Sequence, residues 1–302
     1  MTTIAAEFSD LEQKIASNGP LTRADAERVL ASPDLISVGM LGDAMRSALH
    51  GDEVTYGRVY VVTSTGGAAA ADIEAGEIRI DAAPGTVDEL RARVRAAAPL
   101  ARGIPLTGFS LGQLLELTGG DHLALADLAR TLRADGLEAV ADVPLDGLGD
   151  TENAIEVVRA VMHGGLGAWR ATVARATMAS RLDLIERAID LQRETGALRA
   201  FAPLPRLDPV EAPSTGYDDV RMVAVARLWA RAIPAIQVDW PLYGPKLAQV
   251  AIAFGADDID GIAAHDVEQL GRRRAPKEDI ERQIRAASAV PVERDGRYGR
   301  RA

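Results

Sequence analysis

The chain has 302 residues and a formal net charge of −10 at pH 7, which argues against a general nucleic-acid binder. Hydrophobic residues make up 47% and charged residues 26%, close to globular norms, so wholesale disorder is not expected. There is no cysteine, which excludes disulfides, thiolate nucleophiles, Cys-ligated zinc and a Cys-held iron–sulfur cluster.

The first fifty residues read as helical. Ser9-Asp10 can cap a stretch that runs to Ser17, where Asn18-Gly19-Pro20 ends it. Thr22 precedes a helix over Ala24–Leu30, with Asp25 three residues on as in a capping box. A third helix, Asp34–His50, sets Leu35, Val38, Leu41, Met45 and Leu49 on one stripe. After Gly51 the pattern turns to strand, first Arg58–Thr63 (RVYVVT) and then Gly76–Asp81 (GEIRID). A small-residue loop, STGGAAAAD, separates them. Thr86–Ala97 is a helix with Thr86 as cap and Glu89 at the capping-box position.

From there helix and strand alternate. Helix Leu123–Asp135 closes at Gly136 before strand Leu137–Val140, and helix Thr151–Met162 closes at Gly164-Gly165 before strand Trp169–Val173. Helix Leu182–Thr195 closes at Gly196 before strand Leu198–Pro203. Helix Asp218–Arg231 precedes strand Ala235–Trp240, and helix Tyr243–Phe254 closes at Gly255 before strand Asp258–Ile262. These strands are largely apolar on both faces, as parallel strands covered by helices are. The alternation predicts an α/β fold, a (βα) TIM-type barrel, complete or partial, built on about seven strands and carrying an N-terminal helical cap. The expected layout is one unit: a helical cap over 1–50, a barrel over 51–270, and a C-terminal helix with a basic tail over 271–302. No GxGxxG or GxxxxGK[ST] motif marks a nucleotide fold.

The segments FAPLPRLDP (Phe201–Pro209), TGYDDVRMVAVARLW (Thr215–Trp229), AIPAIQVDWPLYGPKLAQVAIAFGADDIDG (Ala232–Gly261) and PVERDGRYGR (Pro291–Arg300) resemble the C-terminal half of one radical-SAM group. That group contains aminofutalosine synthase, the dehypoxanthine futalosine cyclase and the FO synthases. The stretch Leu21–Tyr56 is similar to the lead-in helices of the same group. In the group, an HGDxVTY stretch leads to a strand whose loop carries CxxxCxxC, the cysteines that hold a [4Fe–4S] cluster. Here the same place reads RVYVVTSTGGAAAADIEAG, with Ser64, Thr65, Gly66 and Gly67 in the loop. Neutral hydroxyls and glycines do not replace three thiolates. The group's glycine-rich S-adenosylmethionine segment is not recognisable either. The resemblance therefore implies the radical-SAM type of barrel and its pocket, but neither a cluster nor S-adenosylmethionine, and no other cofactor is expected.

Candidate site residues follow from the barrel geometry, because the C-terminal ends of the strands face the active site. QVDWP places Gln237, Asp239 and Trp240 there; the alternative packs Trp240 under the Tyr243 loop and pairs Asp239 with an arginine. Arg206 and Asp208 overhang the same mouth, and an arginine there suits a carboxylate or phosphate. In GADDIDG, Asp257 and Asp258 are expected to cap the preceding helix while Asp260 points into the barrel. A divalent cation on these three carboxylates is disfavoured by strand alternation. Asp218, Asp219 and Arg221 read as a capped helix start. Of the four histidines, His50, His122, His163 and His265, none forms a metal-binding pair, and His265 is the candidate acid or base. No GxSxG elbow accompanies them.

Three functions remain open. The first is a cluster-less paralogue of aminofutalosine synthase, tied to menaquinone biosynthesis, that binds a nucleoside-like ligand or supports a pathway enzyme. The second is an active lyase or hydrolase on a futalosine-like nucleoside through Asp239, Asp260 and His265. The third is a structural interaction protein. No segment reads as a secretory signal or a membrane span, so a cytoplasmic protein is expected. Arg272–Arg274 and Arg300-Arg301 read as a solvated basic tail rather than a nucleic-acid site.

Overall fold

A computed structural model describes residues 6–63, 74–175, 180–207, 215–264 and 277–301. Three helices lead in: α1 (Ser9–Ala16), α2 (Arg23–Ala31) and α3 (Leu35–His50). The Thr22 side chain accepts from the Asp25 N–H and Asp25 reaches back to the Thr22 N–H, which starts α2 as the capping-box spacing requires. Asp34 caps α3 by accepting from the Ser37 N–H.

The barrel follows. Its strands are β1 (Glu53–Val62), β2 (Glu77–Ile80), β3 (Leu106–Ser110), β4 (Ala139–Pro144), β5 (Arg170–Val173), β6 (Ala200–Pro205), β7 (Ala235–Asp239) and β8 (Asp258–Ala263). Each pairs in parallel with the next, and β1 pairs with both β8 and β2, which closes the ring. The connecting helices are α4 (Val87–Ala101), α5 (Leu111–Leu117), α6 (His122–Asp135), α7 (Thr151–His163), α8 (Arg181–Thr195), α9 (Gly216–Trp229) and α10 (Trp240–Ile252). α2 and α3 pack against α9, so the lead-in helices join the outer helical layer.

Two elements within the barrel were not expected. β3 has the sequence LTGFS, too short and too poor in β-branched residues to stand out, and α5 follows it immediately. Gly108 lets β3 lie against β2: a Cβ there would come within 2.9 Å of the Ile80 Cβ. β1 also begins earlier than the Arg58 expected.

After α11 (Lys277–Ala286), a ninth strand, β9 (Val290–Arg294), pairs in parallel with the first half of β1, from Glu53 to Gly57. The second half of β1, from Val59 to Val62, pairs with β2. β9 therefore wedges into the gap below β2. Arg300 and Arg301 are exposed, as expected of a solvated basic tail, and pair at the surface with Glu53 and Glu293, whereas Arg294 just before them is 1% exposed. Arg272–Arg274 lie outside the described residues. Among the described residues, no helix is long and apolar enough to cross a membrane.

Candidate functional site

Side chains alternate along a strand, so residues two apart share a face. On β8 that rule sends Asp258 and Asp260 inward together; on β2 it sends Glu77 and Arg79 inward; on β5 it sends Arg170 and Thr172. With Arg294 from β9, these residues form a charged layer inside the barrel.

Asp260, fully buried, accepts from Arg79 at 2.9 and 3.2 Å, from Arg294 at 2.9 Å, and from Arg170. Asp258 is fully buried too and takes Arg294 through both oxygens, at 2.6 and 2.8 Å. Gln237 Nε2 at 2.6 Å and Thr55 Oγ1 at 2.5 Å complete it. Glu77 holds Arg79 bidentately and accepts from Thr107 at 2.5 Å. Burial alone would raise the Asp260 carboxyl, but Arg79, Arg170 and Arg294 hold it well below the usual carboxylate range. A carboxylate so held is an anchor, not a proton carrier near neutral pH.

Above this layer, at the C-terminal ends of the strands, lies a cavity of about 860 Å³. Val59, Val61, Ile80 and Phe109 give it apolar walls; Arg79 and Arg170 reach it from the layer below; Arg206, Asp239, Asp142 and Asp81 line it higher up. Phe109 holds φ at +60° in this wall, a strained conformation of the kind that clusters at functional sites. Gly261 also lines it with φ at +77°, where a Cβ would meet Pro241 at 2.8 Å. Asp142 receives a hydrogen bond from Thr172 at 3.2 Å on one oxygen, while its buried Oδ1 has no partner.

The expected residues divide. Arg206 and Asp239 do line the cavity, and they are ion-paired to each other. Asp260 lies beneath it and does not line it. Gln237 is fully buried, bonded to Asp258 and to the Tyr298 hydroxyl at 3.2 Å, so it belongs to the charged layer. Trp240 starts α10, is 2% exposed and does not line the cavity. Asp257 and Asp258 are not helix caps: Asp257 pairs with Arg227 at 2.7 Å and accepts from the Ile236 N–H. Asp208, His265 and the loop Ser64–Gly67 lie outside the described residues. Arg170, Arg79, Asp142 and Arg294 were missed. Arg79 and Arg170 sit in short strands where an arginine reads as solvated, and only the barrel's closure turns them inward. Among the described residues, no three His, Asp or Glu side chains form a group able to hold a metal ion.

No family model matches the chain. It is 35% identical to the aminodeoxyfutalosine synthase of Thermus thermophilus over 137 residues, which is 40% of this chain and 37% of that protein. It is 30% identical to the cyclic dehypoxanthine futalosine synthase of Streptomyces coelicolor over 130 residues, 40% of this chain and 33% of that one. The chain is a divergent relative of this radical-SAM menaquinone-pathway group. The chain thus matches little more than a third of these relatives' length. A longer match, 25% identical over 241 residues, joins it to the 5-amino-6-(D-ribitylamino)uracil–L-tyrosine 4-hydroxyphenyl transferase of Archaeoglobus fulgidus, covering 68% of this chain and 67% of that protein.

Among solved structures, methylornithine synthase superposes with a TM-score of 0.66 at 13% identity, over 93% of this chain and 97% of that one. The [FeFe]-hydrogenase maturase HydG of Carboxydothermus hydrogenoformans does so with a TM-score of 0.67 at 10% identity, over 95% and 79%. At such identities the likeness shows the fold alone. The cluster expected of a radical-SAM barrel does not fit the donors here, because a chain without cysteine offers it no thiolate.

Proposed function

We propose that this chain is a cytoplasmic, cluster-less paralogue of aminodeoxyfutalosine synthase that binds a nucleoside-like ligand of the menaquinone route at its barrel mouth, without radical chemistry. The observation that carries the reading is the combination of a lined barrel-mouth cavity with a sequence devoid of cysteine. A barrel that had become purely structural would have no need of a polar cavity above a charged layer.

An active lyase or hydrolase is the weaker reading. Of the residues it calls on, Asp260 is occupied by three guanidiniums and Asp239 is ion-paired to Arg206, while His265 lies outside the described residues. Calorimetric titration with futalosine-type nucleosides, beside a turnover assay lacking S-adenosylmethionine, tests the proposal. Binding without turnover is expected. Turnover would overturn the pseudoenzyme reading, and absence of binding would leave the interaction-protein reading.

A further inference from the structure

Arg170 is 4% exposed and reaches the cavity. Its Nε donates to the Ala141 carbonyl at 3.1 Å and its Nη1 to Asp260. Its Nη2 has no hydrogen-bond partner among the described residues. A guanidinium buried to this degree with an open donor beside a cavity is a built site for an acceptor, and a planar carboxylate matches its geometry. The apolar walls leave room for a hydrocarbon body behind such a group. Asp142, with its unpartnered Oδ1 on the neighbouring strand, repels an anion and so directs it to the Arg170 side.

Whether Arg170 is available depends on the charge below it. Arg79, Arg170 and Arg294 face Glu77, Asp258 and Asp260, three charges of each sign. Arg294 is the member supplied from outside the barrel. Three glycines make way for its segment: a Cβ on Gly57 would lie 2.7 Å from the Arg294 guanidinium, one on Gly76 2.5 Å from the Arg294 carbonyl, and one on Gly296 2.9 Å from Glu77. Tyr298 lies over the guanidinium at 4.2 Å with φ at +65°. Such a fit is more than a strand edge needs in order to be covered.

We propose that Arg170 reads a carboxylate on the ligand and that Arg294 is a positioning residue for it, supplying the charge that keeps Asp260 from claiming Arg170 entirely. This rests on the cavity being a ligand site. Replacing Arg294 by a neutral residue leaves a net negative layer, which disfavours an anion above it; removing Asp258 does the reverse.

NMR titration with hexanoate, its neutral analogue hexanamide and inorganic phosphate tests the proposal. The wild type is expected to prefer hexanoate over both others. Arg294→Gln should weaken hexanoate about tenfold and leave hexanamide unchanged, whereas Asp258→Asn should tighten hexanoate severalfold. The double variant Arg294→Gln/Asp258→Asn restores neutrality and should recover the preference. A purely architectural Arg294 would instead lower acid and amide together and add to the Asp258→Asn effect. If Arg294→Gln does not fold, an unchanged preference in Asp258→Asn overturns the proposal by itself. Phosphate binding in place of hexanoate also overturns it. Amide and acid binding equally well would refute the carboxylate reading alone, and binding of none of the three would sink the ligand-site reading with it.

Discussion

Asp260 and Asp239 both lie on barrel strands, in DIDG and AIQVD, yet their surroundings predict different costs of substitution. Asp260→Asn leaves three guanidiniums short of a carboxylate in a buried layer, and breaking a buried pair costs about 3–5 kcal/mol. Urea unfolding should read that loss. Asp239→Asn breaks one pair whose partner, Arg206, keeps 28% of its side chain exposed and stays hydrated. Asp239 itself is buried. The cost should therefore lie between the ~1 kcal/mol of an exposed pair and the ~3–5 kcal/mol of a fully buried one, with a melting point lower by several degrees. Equal losses at the two sites would contradict the layered site. The pairing of Asp239 with an arginine was one of two outcomes open in QVDWP. The charged layer was not legible: the predicted strand Asp258–Ile262 already holds both aspartates, but the arginines that meet them come from β2, β5 and β9, distant in sequence.

At the scale of elements, α3 meets the C-terminal end of α10 through glycines, and the two differ in what they touch. A Cβ on Gly42 would lie 2.2 Å from the Phe254 carbonyl oxygen, which is backbone. A Cβ on Gly39 would meet the Phe254 ring at 3.1 Å, and a ring can turn. Gly42→Ala should therefore cost about 2–3 kcal/mol through overpacking. Gly39→Ala should be near neutral, since alanine favours a helix by up to about 1 kcal/mol over glycine; thermal melts of the pair check the contrast. Helices were the most legible elements, because caps such as Thr22, Thr86 and Asp34 and terminators such as Gly136 and Gly196 act within a few residues. β3 and β9 were not, because LTGFS and VPVER become strands only through pairing partners distant in sequence. That omission is why seven strands were counted where the barrel has eight and a ninth beside it.

Across the whole molecule, acid sensitivity should trace to His50, which packs at the far end of the barrel between α3, α9 and the start of β8. Burial holds its imidazole below the ordinary range, helped by Arg227 and Arg46 and opposed by Asp257 at 3.5 Å. The unfolded chain thus binds more protons than the folded one as pH falls through about 6.5, so stability present above that pH is lost below it. Asp257, raised by burial, acts in the opposite sense. His50→Gln keeps Asp257 and should lose less of its melting temperature than the wild type between about pH 7.5 and 5.5. Parallel pH profiles would assign the sensitivity elsewhere.

The sharpest division between this barrel and its cluster-bearing relatives is the donor set. Anaerobic reconstitution of the purified chain with iron and sulfide, followed by absorbance and EPR of the reduced sample, probes it directly. A barrel that retains the fold without the chemistry should show neither cluster absorbance nor a cluster EPR signal. A bound, reducible [4Fe–4S] cluster on the wild-type chain would contradict it.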